Sequence, residues 1–147
     1  GRDSHATFRY RSVVTLVFPY QGQGVVPKPI VPIIVEGPTS FVETRALVDT
    51  GASLSVLERW IANWIGLDLS DSESIEISTA TGEQFRARLG VVELSLQSDD
   101  DFCRWQSTVA FADVSLGDQI LGFAGGLQHF DVTFLGRQRL VQLVWNG

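Results

Sequence analysis

Leu47-Val48-Asp49-Thr50-Gly51-Ala52-Ser53 is the stretch whose residue types and order can do chemistry. An apolar run delivers a carboxylate, and a glycine follows two positions on. Such a run brings Asp49 to the edge of the core, where a charge is poorly solvated. Gly51 lets the backbone turn tightly and leaves room for another chain or a ligand. The hydroxyls of Thr50 and Ser53 can bond backbone groups and hold the loop. The same residues also fit a plainer role, with Asp49 capping a following helix and Thr50 and Ser53 as turn residues. Spacing alone leaves both readings open.

Other reactive side chains carry less. His5 lies in a polar stretch, and His129 reads as structural or surface. Two distant histidines and one cysteine make no zinc site, so no metal is expected. Cys103 has no base near it in sequence and reads as a buried small hydrophobe. Asp99 to Asp101 lacks the spacing and the closing glutamate of a calcium loop and reads as a solvated turn. Gly22-Gln23-Gly24 lacks the third glycine of a dinucleotide site, and the proline-rich segment behind it cannot open a helix. No cofactor is expected.

The bulk numbers agree with a folded domain. With 147 residues, 44% of them hydrophobic and 19% charged, the chain can bury a core and is expected to form one domain over 1–147. Its formal charge of −6 comes from 17 acidic against 11 scattered basic residues. Backbone binding to DNA or RNA needs a basic stripe, so no nucleic-acid partner is expected. No run of about 18 apolar residues exists to span a membrane. Gly1 to Arg11 lacks the apolar centre of a signal peptide. A lone cysteine precludes an intrachain disulfide, and a cytoplasmic location is expected.

The elements that must position Asp49 are mostly strands. Thr7–Phe18, Ile30–Val35, Phe41–Val48, Phe102–Phe111, Gln119–Leu121, Val132–Phe134 and Leu140–Trp145 are rich in β-branched and aromatic residues. Pro32 inside the second run predicts an edge or a bulge there. Ile75 and Ile77, then Phe85, Ala87, Leu89 and Val91, predict a hairpin around Thr79–Glu83. One helix is expected over Ser53–Ile65: Val56, Trp60, Ile61, Trp64 and Ile65 recur at spacings of three and four, with Trp60 and Trp64 packed in the core and Gly66 ending it. Gly125–His129 fits a single helical turn. Many short strands with one helix predict an all-β fold, closed or strongly curved.

The Asp49-Thr50-Gly51-Ala52-Ser53 run after an apolar strand resembles the active-site loop of retropepsin-like aspartic proteases. Ile120-Leu121-Gly122 looks like that family's hydrophobic-hydrophobic-glycine element, and Gly125-Gly126-Leu127-Gln128-His129-Phe130 stands where the family has a short helix. The resemblance spans roughly Pro29 to Leu143 and is greater to the bacterial and cellular branch than to the viral one. It implies a closed acid-protease-like β-barrel and an endopeptidase with a water between two carboxylates. The chain has one Asp-Thr-Gly, so the resemblance implies a homodimer with Asp49 contributed by each copy. It implies catalytic roles for Asp49, Thr50 and Gly51, and contacts to an extended peptide or protein substrate from Ala52 and Ser53. Ala80, Thr81 and Gly82 fall at the tip of the hairpin that would be the flap. Ile120, Leu121 and Gly122 would support the site.

The chain departs from the viral pattern at two places. Viral enzymes usually carry an acidic residue where Ser53 stands and an arginine where Phe123 stands; here both are replaced. The departures motivate a rival reading, a protease-like dimer that binds peptides or partner proteins without cutting them. A third reading is a self-processing domain released from a longer chain.

Overall fold

β-branched and alternating runs become strands throughout the computed structural model, which describes residues 13–22, 26–79 and 81–147. In chain order these are β1 Thr15–Pro19, β2 Ile30–Glu36, β3 Phe41–Val48, β4 Val56–Glu58, β5 Ser74–Ser78, β6 Gln84–Ser98, β7 Asp101–Ala112, β8 Gln119–Leu121, β9 Phe130–Leu135 and β10 Leu140–Trp145. Helix α1, Arg59–Ile65, follows β4, and a short 3-10 turn, Leu127–His129, precedes β9. Residues 7–12 of the expected first strand lie outside the described residues.

Neighbouring strands run β2-β3-β8-β4-β7-β6, and β6 pairs back onto β2, closing a six-stranded barrel. The all-β barrel expected from the sequence is therefore the fold. Closure depends on the length of β6. Its first part, Gln84–Arg88, pairs with β5, and Glu93–Ser95 pairs with β2, while β7 accompanies it from Ala87 to Ser98. One edge thus serves two partners in turn. β2 meets β6 only from Ile34 onward, so Pro32 lies where that strand has a single partner and loses no ladder bond to β6. A separate three-stranded sheet, β1-β10-β9, packs on the barrel.

Successive strand residues face opposite sides, and β6 uses both. Ala87, with Phe85 and Leu89, joins a small cluster with Val56, Ala110 and Ile120. Val92, Leu94 and Leu96, on the other face, enter the main core with Ile33, Leu57 and Phe111. Val91 was expected to continue the first series, but it is 50% exposed, because that cluster ends at Leu89.

The helix is shorter than its spacing predicts. Ser53–Ser55 is irregular and Val56–Glu58 is a strand, parallel to β7 and touching β8 at Val56–Ile120. Val56, Leu57 and Glu58 are all buried. Three consecutive buried residues suit a strand with partners on both sides, not an amphipathic helix, so tertiary pairing overrides the helical spacing. The tryptophans are the second correction. The buried stripe of α1 is Ile61, Ala62 and Ile65, while Trp60 and Trp64 are 47% and 63% exposed. Their indole N–H groups donate to Glu58 Oε1 and to the Phe41 carbonyl. Gly66 ends the helix at φ 78°, as expected.

Cys103 is buried in the main core, and burial, with Asp101 nearby, pushes its thiol pKa up. His129 stacks on Trp145 beside Trp105. Asp99 and Asp100 form the tight turn between β6 and β7, with Asp99 at φ 51°.

Candidate active site

Strands β3 and β8 run parallel and in register, Val48 opposite Leu121. Parallel neighbours end on the same edge, so the loops that follow them, from Asp49 and from Gly122, emerge side by side. Asp49 N–H donates to the Leu121 carbonyl (3.1 Å), which ties the start of one loop to the end of the other strand. Asp49 then folds back on its own loop: Oδ1 accepts from Gly51 N–H at 2.9 Å and its carbonyl accepts from Ala52 N–H at 3.2 Å. This is a side-chain-closed turn. A helix cap is ruled out, because α1 begins ten positions later, at Arg59.

Gly51 lacks the Cβ that would stand 3.3 Å from Asp49 Oδ1. The carboxylate is half-buried, more open in the single chain than the apolar approach suggests, and Thr50 and Gly51 are exposed. Core burial stops at Val48.

The two loops interlock. Phe123 N–H donates to the Ala52 carbonyl, Ala124 N–H to Ser53, and Ser55 N–H to Ala124. Buried Ser55 closes the lock: its Oγ accepts from Gly122 N–H (3.1 Å) and donates to the Gly122 carbonyl (3.3 Å). A Cβ on Gly122 would fall 2.1 Å from the Leu54 carbonyl oxygen, inside contact distance of backbone that cannot give way. Glycine is therefore required there by close approach, not by its dihedral angles.

Asp49 opens onto a cavity of about 300 Å³. Ala52 and Ser53 line it from the aspartate loop, Val56 from β4, Leu116 from the loop before β8, Ile120 from β8, and Ile77 and Phe85 from the β5–β6 hairpin. The β5–β6 hairpin thus shares this cavity with the aspartate loop. Its tip is exposed at Thr81 and Gly82, held by Thr79 N–H to the Glu83 carbonyl (2.8 Å) and Glu83 N–H to Thr79 Oγ1 (3.2 Å). Gly82 has φ 89° and open space around it. Ala80 lies outside the described residues. Leu121 braces Asp49 directly, Gly122 braces its loop through Ser55, and Ile120 lines the cavity.

Two features have no counterpart in the sequence reading. Ser55 gave no signal, because it sat inside the expected helix. Glu58 is the other. Its carboxylate accepts from Trp60 Nε1 (3.0 Å), Gln119 Nε2 (2.9 Å), Ser115 Oγ (3.2 Å) and Leu116 N–H (2.7 Å). Burial alone pushes its pKa up, but the bonds from Gln119, Trp60, Leu116 and Ser115 outweigh it and hold the group at about 2. A polar Gln119 just before Ile-Leu-Gly, in a short strand that must be buried, is the one sequence hint of a polar partner.

Comparisons with known proteins bear on this site. A model of the family described as aspartyl protease matches residues 31–124, from β2 through both interlocked loops. A retropepsin-like aspartic protease from Rickettsia conorii shares the fold, with a TM-score of 0.62 and 20% identity over 91% of this chain and 92% of that one. EIAV protease in complex with the inhibitor HBY-793 aligns with a TM-score of 0.44 and 17% identity, over 69% of this chain and 88% of that one. No curated protein sequence matches the chain. With the aspartate loop, the Ile-Leu-Gly strand and the cavity-lining hairpin joined in one barrel, the chain belongs to the aspartyl protease family and is an aspartic endopeptidase.

Proposed function

We propose that two copies of this chain form a symmetric homodimer that hydrolyses peptide bonds in extended peptides, with one Asp49 from each copy at the two-fold axis. The observation that carries it is the lone Asp49 loop: half-buried, placed at one edge by β3 and β8, and open to a cavity shared with a hairpin. Half an acid pair cannot run the chemistry, because one carboxyl must be ionised and the other protonated. Like charges about 3 Å apart cannot both ionise, and aspartic proteases are the established instance of such a shared proton.

The ionised Asp49 takes a proton from the water as it attacks the scissile carbonyl carbon. The protonated Asp49 donates to the carbonyl oxygen as charge develops on it. Proton transfer to the leaving nitrogen completes cleavage. The pair titrates as a unit, so its apparent pKa values belong to both copies. Thr50 braces the two loops against each other, and Gly51, Ala52 and Ser53 meet the peptide backbone. The hairpin tip, Ala80 to Gly82, closes over the bound strand and excludes water. The proposed unit is one domain per chain.

Asp49→Asn keeps an Oδ1 that can accept from Gly51 N–H, so the loop survives while the acid is lost. Peptide cleavage is expected to fall by at least about 10³-fold with the thermal transition within a few degrees of wild type, and mass in solution is expected to report a dimer. Full activity of Asp49→Asn, or a strictly monomeric active enzyme, would overturn the mechanism.

A further inference from the structure

Glu58 does no part of the hydrolysis just described, yet it is 9% exposed and every one of its acceptor positions is used. Two of its four donors, Ser115 Oγ and Leu116 N–H, belong to the loop that leads into β8. A third, Gln119 Nε2, comes from β8 itself, and Gln119 Oε1 accepts from Glu58 N–H at 2.7 Å. Gln119 is 1% exposed, so this exchange is a fixed point. On either side of it stand Leu116 and Ile120, both of which line the cavity at Asp49. Leu116 is only partly buried, and it packs on the Val56 and Ala110 cluster that Ile77 and Phe85 of the hairpin also join.

We propose that Glu58 is a specificity-determining positioning residue. By clamping the 115–116 backbone it sets how far Leu116 projects into the cavity, and so the size of the apolar peptide side chain accepted beside Asp49. The proposal rests on the peptide-cleavage reading above. A carboxylate suits the clamp because it accepts on both oxygens at once, from the loop on one and from Gln119 and Trp60 on the other. An amide in its place turns one donor toward N–H groups that already point inward. The loop then loses its tether while β4 keeps its pairing to β7 through backbone alone.

The test compares two peptides that differ only in the side chain next to the scissile bond, one leucine and one tryptophan. Wild type is expected to favour leucine. Leu116→Ala removes the wall and is expected to shift the ratio of kcat/KM toward tryptophan by about tenfold, an order set by a few methylene groups in an apolar pocket. Glu58→Gln is expected to shift it the same way by at least about threefold, chiefly through KM. A merely structural role lowers the amount of active enzyme and leaves that ratio unchanged, so an unchanged ratio in active Glu58→Gln overturns the proposal. A shift in Leu116→Ala without one in Glu58→Gln overturns the clamp and keeps the pocket. If wild type binds the peptides but cleaves neither, the protease reading fails by itself, and the same ratio is read from dissociation constants. Binding of neither peptide by wild type overturns the subsite.

Discussion

Protonating Glu58 should destabilise this protein in acid, and the structure sets the size of the loss. A carboxyl ordinarily at 4.5 is held at about 2 in the folded chain. Each tenfold change in proton affinity is worth about 1.4 kcal/mol, so the depressed pKa contributes up to about 3 kcal/mol at neutral pH. Because the folded value lies below the unfolded one, the contribution is complete above the unfolded pKa. It is lost as pH falls toward the folded one, with about half gone by pH 3. The chain has 17 acidic residues, and acid perturbs all of them. A comparison with Glu58→Gln isolates the one that matters, since that variant has nothing to titrate there. Urea denaturation at pH 7, 5, 4, 3 and 2.5 should find wild type about 2–3 kcal/mol more stable at the top of the range. The gap should narrow to under about 1 kcal/mol at the bottom. A gap that stays constant with pH would refute the reasoning, since a four-bonded carboxylate cannot be protonated without cost.

Further outcomes follow from the interlocked loops and the exposed helix face. Gly122→Ala places a Cβ against the Leu54 backbone and should cost more than about 4 kcal/mol or prevent folding. Gly136→Ala, where nothing lies within 4 Å, should be within about 0.5 kcal/mol of wild type, by the same denaturation measurement. Ser55→Ala leaves the buried Gly122 N–H without its acceptor and should cost about 1–3 kcal/mol in stability. Trp64→Gln should change stability by less than about 1 kcal/mol, because 63% of Trp64 is in solvent; a larger loss would restore the tryptophan to the core.

The barrel was legible because strands announce themselves by composition. Phe41–Val48, Gln119–Leu121 and Leu140–Trp145 read from the sequence as they stand in the structure. The aspartate loop was legible for a different reason, an apolar run ending abruptly in Asp-Thr-Gly. The helix was misread because Val56, in a strand, keeps helical spacing with Trp60 and Trp64 by accident. Val56 answers to β7 and β8, partners distant in sequence, and the tryptophans are outward residues whose indoles bond Glu58 and the Phe41 carbonyl. Periodicity sees neighbours three and four apart and cannot weigh a strand partner fifty residues away. Glu58 escaped notice for the same cause. An acidic residue at a predicted helix face reads as solvated, and only the tertiary path of Ser115–Gln119 supplies its four donors.

Asp49 is therefore placed by the fold and not by its own motif. Its turn is local, closed by Gly51 N–H and Ala52 N–H, and any Asp-Thr-Gly can make such a turn. What aims it is the crossing of the 49–55 loop over the 122–126 loop, through Ser55 and a glycine with no room for a methyl group. That crossing needs β3 and β8 to be parallel, since antiparallel neighbours would send the two loops to opposite edges. A parallel pair needs a long connection, and here it carries the hairpin that lines the cavity. The hairpin beside the cavity and the acid are thus consequences of one topological choice. An Asp-Thr-Gly without a glycine downstream at the end of a parallel partner strand has nothing to hold its carboxylate at the cavity mouth.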